Sequence, residues 1–160
     1  MLQREIAQRL VDLEIFRGLS REHVERIARQ ADRIVFKAGQ PIIRAGEPGD
    51  AAYLVLSGTA TVHSVFAEAR EEIVSVGTLV GELAMLVEHE HTVTIVCREP
   101  VRAVRIGREM LQSTMLEAPD VAEHFVARLS SRLTRMASEL RRIDQMLALS
   151  AEREPVGVGP

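Results

Sequence analysis

Apolar positions along the chain change period twice, and each regime predicts a different structure. Residues 2–13 place Leu2, Ile6, Leu10 and Leu13 at spacings of four, four and three, one stripe of an amphipathic helix. Ser20 reads as a cap, and Val24, Ile27, Ala28 and Ala31 form the buried face of a second helix. Leu13, Ile15, Phe16 and Leu19 pack the connection, and His23 falls on a solvated face. From Ala31 to Ile106 the apolar residues alternate in short runs: Ile34 and Phe36, Ile42 and Ile43, Tyr53 to Leu56, Val62 and Val65, Ile73 to Val76, Val93 to Val96, Val101 to Ile106. Ala38-Gly39, Gly46-Glu47-Pro48-Gly49-Asp50, Ser57-Gly58 and Arg98-Glu99-Pro100 punctuate them, and Glu68 to Glu72 reads as a solvated hairpin tip. Short strands at near-regular spacing predict a sandwich or barrel of the jelly-roll kind.

Helical spacing returns after residue 106. Gly107 to Leu116 predicts a short helix with Met110, Leu111 and Met115 facing inward. Pro119 suits a first helical position, and Asp120 and Glu123 suit a first turn. Behind them Val126, Leu129, Leu133, Met136, Leu140, Ile143 and Leu147 alternate spacings of three and four, with Arg128, Arg132, Arg135, Arg141 and Arg142 off that line. A helix that covers its own domain carries a wider stripe. The narrow heptad seam therefore predicts a partner helix, most simply from a second copy, over packing back onto the chain. The expected organisation is N-terminal helices over 1–30, a barrel over 31–106, C-terminal helices with a dimerisation helix over 107–148, and a disordered tail over 149–160.

Composition narrows the picture. With 46% apolar and 27% charged residues, the chain reads as an ordinary soluble globular protein. A net charge of −3 gives no electrostatic case for nucleic acid. Single Cys97 excludes an internal disulfide, favours a reducing compartment, and reads as a buried small hydrophobe. No apolar run approaches the roughly 20 residues a spanning helix needs. Glu5 and Asp12 exclude a secretory signal at the N-terminus, so the expected location is cytoplasmic.

Candidate chemistry gathers at Val80-Gly81-Glu82-Leu83-Ala84-Met85-Leu86, ahead of His91-Thr92-Val93. Gly77 and Gly81 lead into one helical turn, whose first backbone N–H groups favour an anion. Glu82 has the wrong charge for that anion but suits a hydroxyl on the same ligand. The alternative is plain: Gly81 is a bend, and Glu82 an acid favoured by the helix dipole.

Two stretches carry a resemblance. Ile42-Ile43-Arg44-Ala45-Gly46-Glu47-Pro48-Gly49-Asp50-Ala51-Ala52-Tyr53-Leu54-Val55-Leu56-Ser57-Gly58 is similar to the glycine-framed pattern of the cyclic nucleotide-binding domain family, and Val80 to Met85 is similar to the opening of its phosphate-binding cassette. The resemblance spans roughly residues 10 to 147. It implies a mainly β fold: an eight-stranded antiparallel jelly-roll barrel with N-terminal helices, a cassette helix and a long C-terminal helix. It also implies that Gly81, Glu82, Leu83 and Ala84 line a cyclic phosphate and ribose, with cyclic AMP or cyclic GMP as ligand.

Family cassettes close with Arg, then Ser or Thr, then Ala, where this chain has His91, Thr92 and Val93. An arginine supplies a permanent charge and a fork of donors, whereas a neutral histidine supplies one donor. A charge-assisted hydrogen bond is worth about 1.5–3 kcal/mol, so the exchange weakens phosphate binding by about ten- to a hundredfold unless His91 is protonated or Arg44 or Arg102 reaches the pocket. Met136 and Ala137 fall where polar residues of the long helix meet the base in dimeric family members. DNA-reading members carry a helix-turn-helix domain after the long helix, which is not expected here. His89 and His91, two apart, share a strand face, with His63 and His124 elsewhere; the plain reading of all four is polar histidines rather than haem or metal ligands.

Two function classes follow. The first is a non-enzymatic sensor whose ligand docks at Gly81, Glu82, Leu83, Ala84, His91 and Thr92 and whose dimeric helix signals to an unidentified protein. The second is a dimerisation or protein-interaction scaffold of the same fold that binds no nucleotide.

Overall fold

The computed structural model describes residues 2–64 and 71–153. The chain divides into two compact units, Met1–Ala122 and Glu123–Pro160. The first opens with helices α1 (Leu2–Val11) and α2 (Arg21–Gln30), joined by a 3-10 turn at Glu14–Phe16. Ser20 caps α2, its Oγ accepting from the His23 amide at 3.3 Å, which satisfies one donor that a helix start leaves bare. Ile6, Ala7 and Leu10, and Val24, Ile27 and Ala28, are the buried stripes. His23 departs from expectation. Its side chain is only 18% exposed, with Nε2 2.7 Å from Asp120 Oδ2. That hydrogen bond holds the Asp120 carboxyl below the usual carboxylate range. The partner lies 97 residues away, where no local pattern points.

Ten strands follow among the described residues: β1 (Asp32–Phe36), β2 (Pro41–Ile43), β3 (Pro48–Gly49), β4 (Ala51–Ser57), β5 (Ala60–Ser64), β6 (Glu72–Val74), β7 (Leu79–Val80), β8 (His89–Glu90), β9 (Val93–Cys97) and β10 (Val101–Gly107). All pairings are antiparallel. One sheet has the order β1-β10-β4-β7, a second β2-β9-β5-β6, and β3 pairs with β8 alone. The class is as expected, mainly β with flanking helices, but eight strands were expected. The difference lies in two-residue pieces such as β3 and β8, too short for an alternation to register. Val65 and residues 68–70 of the expected tip lie outside the described residues; Glu71 is exposed and Glu72 opens β6.

Both four-stranded sheets contribute to one core. Phe36, Val55, Val80, Val101 and Ala103 of the first meet Ile42, Ile43, Ala60, Val74, Ile95 and Cys97 of the second. Cys97 is thus the buried small hydrophobe expected of it. Alternation turns Ala52, Leu54, Val104 and Ile106 to the opposite face of the first sheet, and these are fully buried too, so that face is also covered. Helix α3 (Arg108–Glu117) starts on Gly107 and buries Leu111 and Thr114, with Met110 and Met115 half-buried. An Arg26–Glu117 ion pair ties α2 to its end.

Helix α4 (Pro119–Arg153) begins on Pro119, as expected. In the second unit it runs five residues past the expected end at 148. Residues 149–153 (Leu, Ser, Ala, Glu, Arg) contain no breaker, and Pro155 is the first. The expected tail therefore starts too early; residues 154–160 lie outside the described residues. Val126, Leu133, Met136, Leu140, Ile143 and Leu147 are each more than half exposed, and Leu129 is half-buried. No helix among the described residues is long and apolar enough to cross a membrane.

Candidate functional site

Gly81 starts the site. It adopts φ +71°, a left-handed conformation that side chains disfavour, and this sends the chain from β7 directly into a 3-10 turn at Glu82–Met85. The Ala84 amide closes the turn on Gly81 O at 3.0 Å. Ala84 and Met85 are fully buried, while Gly81, Glu82 and Leu83 are half-buried and face outward enough to meet a ligand. The four residues expected to line a phosphate and ribose are thus contiguous on a turn of a single revolution, the first three partly accessible and Ala84 buried.

His91 comes to that turn from the other side. Its amide donates to Glu47 O at 3.0 Å, and its carbonyl accepts from the Gly46 amide at 2.8 Å, which extends the β3–β8 ladder. The ring lies in a slot that Gly49 leaves open, with Gly81 at contact distance. A methyl group on Gly49 would fall 2.5 Å from His91 Nε2 and 2.7 Å from Ala84 Cβ; one on Gly81 would fall 3.5 Å from His91 Cε1. The structure therefore brings His91 to Gly81–Ala84, seven to ten residues earlier along the chain. Thr92, the next residue, is an exposed bend. Val93 begins β9 and packs half-buried against the barrel core.

Burial pushes the His91 pKa down, and nearby His89 lowers it further, against smaller upward effects from Asp50 and Glu47. With the residue only 9% exposed, burial favours the neutral form of the ring. An unfolded histidine takes up its proton near pH 6.5. The folded ring takes it up only at lower pH. In the window just below pH 6.5 the unfolded chain binds more protons, so the stabilisation from neutral His91 is complete above that pH and is lost as pH falls. The melting temperature should accordingly fall between pH 7 and pH 5 more steeply in the wild type than in His91→Gln. Equal slopes in the two proteins would show that the ring is not buried against the turn.

Among the described residues neither substitute cation is seen in a hydrogen bond to the turn. Arg44 is exposed and lies 3.9 Å from Glu47, and Arg102 is exposed on β10, opposite Val35 and Ser57. The cation that does touch the turn is Arg108, the first residue of α3. Its Nη1 donates to Val87 O at 2.9 Å, Gly49 O at 3.0 Å and Ala84 O at 3.2 Å. It grips the carbonyl end of the turn rather than its amide end. Sequence reasoning missed it. The one available signal is an arginine at the opening of a helix, where the macrodipole favours an acid. Beside it Arg105 donates to Asp50 at 2.9 Å and lies 3.6 Å from Asp32, at a cleft of about 720 Å³ that none of the expected ligand residues lines.

The other histidines assemble nothing further. The His89 and His91 rings meet edge to face with centroids 6.4 Å apart, and His63 is exposed on β5. Among the described residues no group of three or more His, Cys, Asp or Glu side chains could hold a metal ion.

The class of protein is a mainly β domain: an antiparallel two-sheet barrel interrupted by a glycine-led turn, with helices before and after it. The chain belongs to the cyclic nucleotide-binding domain family: a model of the cyclic nucleotide-binding domain matches residues 33–118, from β1 to the end of α3. It is similar to the CRP-like cAMP-activated global transcriptional regulator of Mycobacterium tuberculosis, with 26% identity over 129 residues, 79% of this chain and 58% of the relative. The chain thus spans a little over half of that relative. Among solved structures it resembles the N-terminal domain of a transcriptional regulator from Streptomyces coelicolor A3(2), with a TM-score of 0.73 and 23% identity over 82% of this chain and 93% of that one. It also resembles the Thermus thermophilus catabolite activator protein, with a TM-score of 0.62 and 28% identity over 81% of this chain and 62% of that one.

Proposed function

We propose that this protein is a non-enzymatic regulatory module that senses a cyclic nucleotide or a related small anionic ligand and signals through its C-terminal helix. The observation that carries this reading is the turn itself. Gly81 in its left-handed conformation presents Glu82 and Leu83 beside His91, and the lack of a side chain at Gly49 leaves room for that ring. The turn's opening amides suit a ligand anion, and Glu82 suits a hydroxyl on the same ligand. The signal is a difference in ligand affinity between two poses of the chain, and α4 is the element long enough to report it. Helix α4 carries the seam for a homodimer, the assembly that presents two such sites together.

A second reading is a dimerisation scaffold whose cassette binds no nucleotide. What favours it is His91, a buried and neutral ring where an arginine would serve an anion. Isothermal titration of nucleotide-stripped protein with cyclic AMP and then cyclic GMP, at pH 6 and pH 8, separates the two. Binding that weakens at pH 8 supports a sensor that protonates His91 on binding. No heat and no thermal stabilisation at millimolar nucleotide would leave the scaffold.

A further inference from the structure

We infer that Arg108 is the positioning residue of the ligand site: a single nitrogen on α3 fixes the pose of the turn at 81–87 and of β3 beneath it. This rests on the reading of the turn as a ligand site, but the geometry stands without a ligand. A 3-10 turn as short as Glu82–Met85 satisfies few of its own carbonyls, and those of Ala84 and Val87 lie at its open end. Both accept from Arg108 Nη1, and so does Gly49 O, on the strand whose Cα bounds the His91 slot. The Arg108 amide adds a fourth tie, to Asp50 O at 2.7 Å. One residue therefore clips three segments distant in sequence: β3 with its exit, the cassette turn, and the start of α3. The contact is also a direct polar link from the turn to α3, so a change in the turn's pose must break or remake bonds to that helix.

All three side-chain contacts converge on Nη1, whose two N–H groups are shared among the three carbonyls, and this makes the inference specific. An ammonium offers three donors on one charged nitrogen, whereas an apolar side chain of similar length offers none. Arg108→Lys should therefore preserve the pose and Arg108→Met should lose it. Amide hydrogen exchange at 84–87 in the full chain should be at least tenfold faster in Arg108→Met and close to wild type in Arg108→Lys, with exchange in the β5–β9 ladder as a control for general stability. The His91 ring resonances should also titrate closer to the ordinary imidazole range in Arg108→Met, because the slot under Gly49 has loosened. Unchanged exchange at 84–87, or equal acceleration in β5–β9, would overturn the inference. Cyclic AMP titration tests the underlying reading separately: a wild type that binds should lose about tenfold in Arg108→Met. A wild type that binds nothing removes the ligand reading and leaves the exchange result to decide the role of Arg108.

Discussion

Leu133→Glu is expected to convert the protein from dimer to monomer. The side chain is 65% exposed on α4, in a seam where Val126, Leu129, Leu133, Met136, Leu140, Ile143 and Leu147 repeat every three and four residues. Leu133 lies inside that seam rather than at its ends, so a partner helix would cover it more completely than the end positions. Burying a leucine side chain is worth roughly 1.5–3 kcal/mol, and a two-fold dimer loses two of them. The variant also sets two carboxylates against each other in an apolar seam, where each must shed water or take up a proton. The combined loss of about 5 kcal/mol or more raises the dimer dissociation constant about a thousandfold or more. Sedimentation velocity across a concentration series reads it directly. Ser138→Glu adds the same charge two residues beyond Met136, off the seam, and should leave the dimer intact. A dimer that persists in Leu133→Glu would place the interface elsewhere in the chain.

What the sequence discloses and what it conceals divide along a physical line. The α4 seam, the Ser20 cap and the alternating strands are local patterns, set by the period of each element, and they stand in the structure close to where the spacing put them. The glycine at 81 is local as well, because a left-handed φ is a property of one residue. The pieces that escaped notice are defined by partners far along the chain. Strands β3 and β8 have two residues each and exist because Pro48 and Gly49 pair with Glu90 and His89. His23 looked solvated because its acceptor is Asp120. Arg108 carried no visible role because its acceptors are the carbonyls of Gly49, Ala84 and Val87, which every residue has. At the site itself the sequence located the turn and the odd histidine. It did not disclose that the ring is packed tightly against Gly49, nor that burial lowers its pKa.

That enclosure makes His91→Arg the most informative single change to ligand binding. A neutral imidazole gives an anion one donor, and to give it a charge the ring must first take up a proton against the cost of its burial. Binding to the wild type should therefore draw in a proton, show a heat that varies with the ionisation enthalpy of the buffer, and weaken between pH 6 and pH 8. An arginine at position 91 carries its charge at every working pH and offers paired donors to the phosphate oxygens. Its side chain cannot lie flat in the slot, since the space beside Gly49 admits no extra atom near the ring. The longer guanidinium should instead extend past Gly81 toward the turn's opening amides. With a charge-assisted hydrogen bond worth about 1.5–3 kcal/mol, cyclic AMP affinity should rise by about ten- to a hundredfold and lose its dependence on pH. Titration calorimetry of both proteins at pH 6 and pH 8 measures all of these together. Unchanged affinity with a binding wild type would remove His91 from the ligand's reach. If neither protein bound, even with the arginine restored, the obstacle would lie in the turn itself, and the fold would serve as a scaffold organised by its long helix.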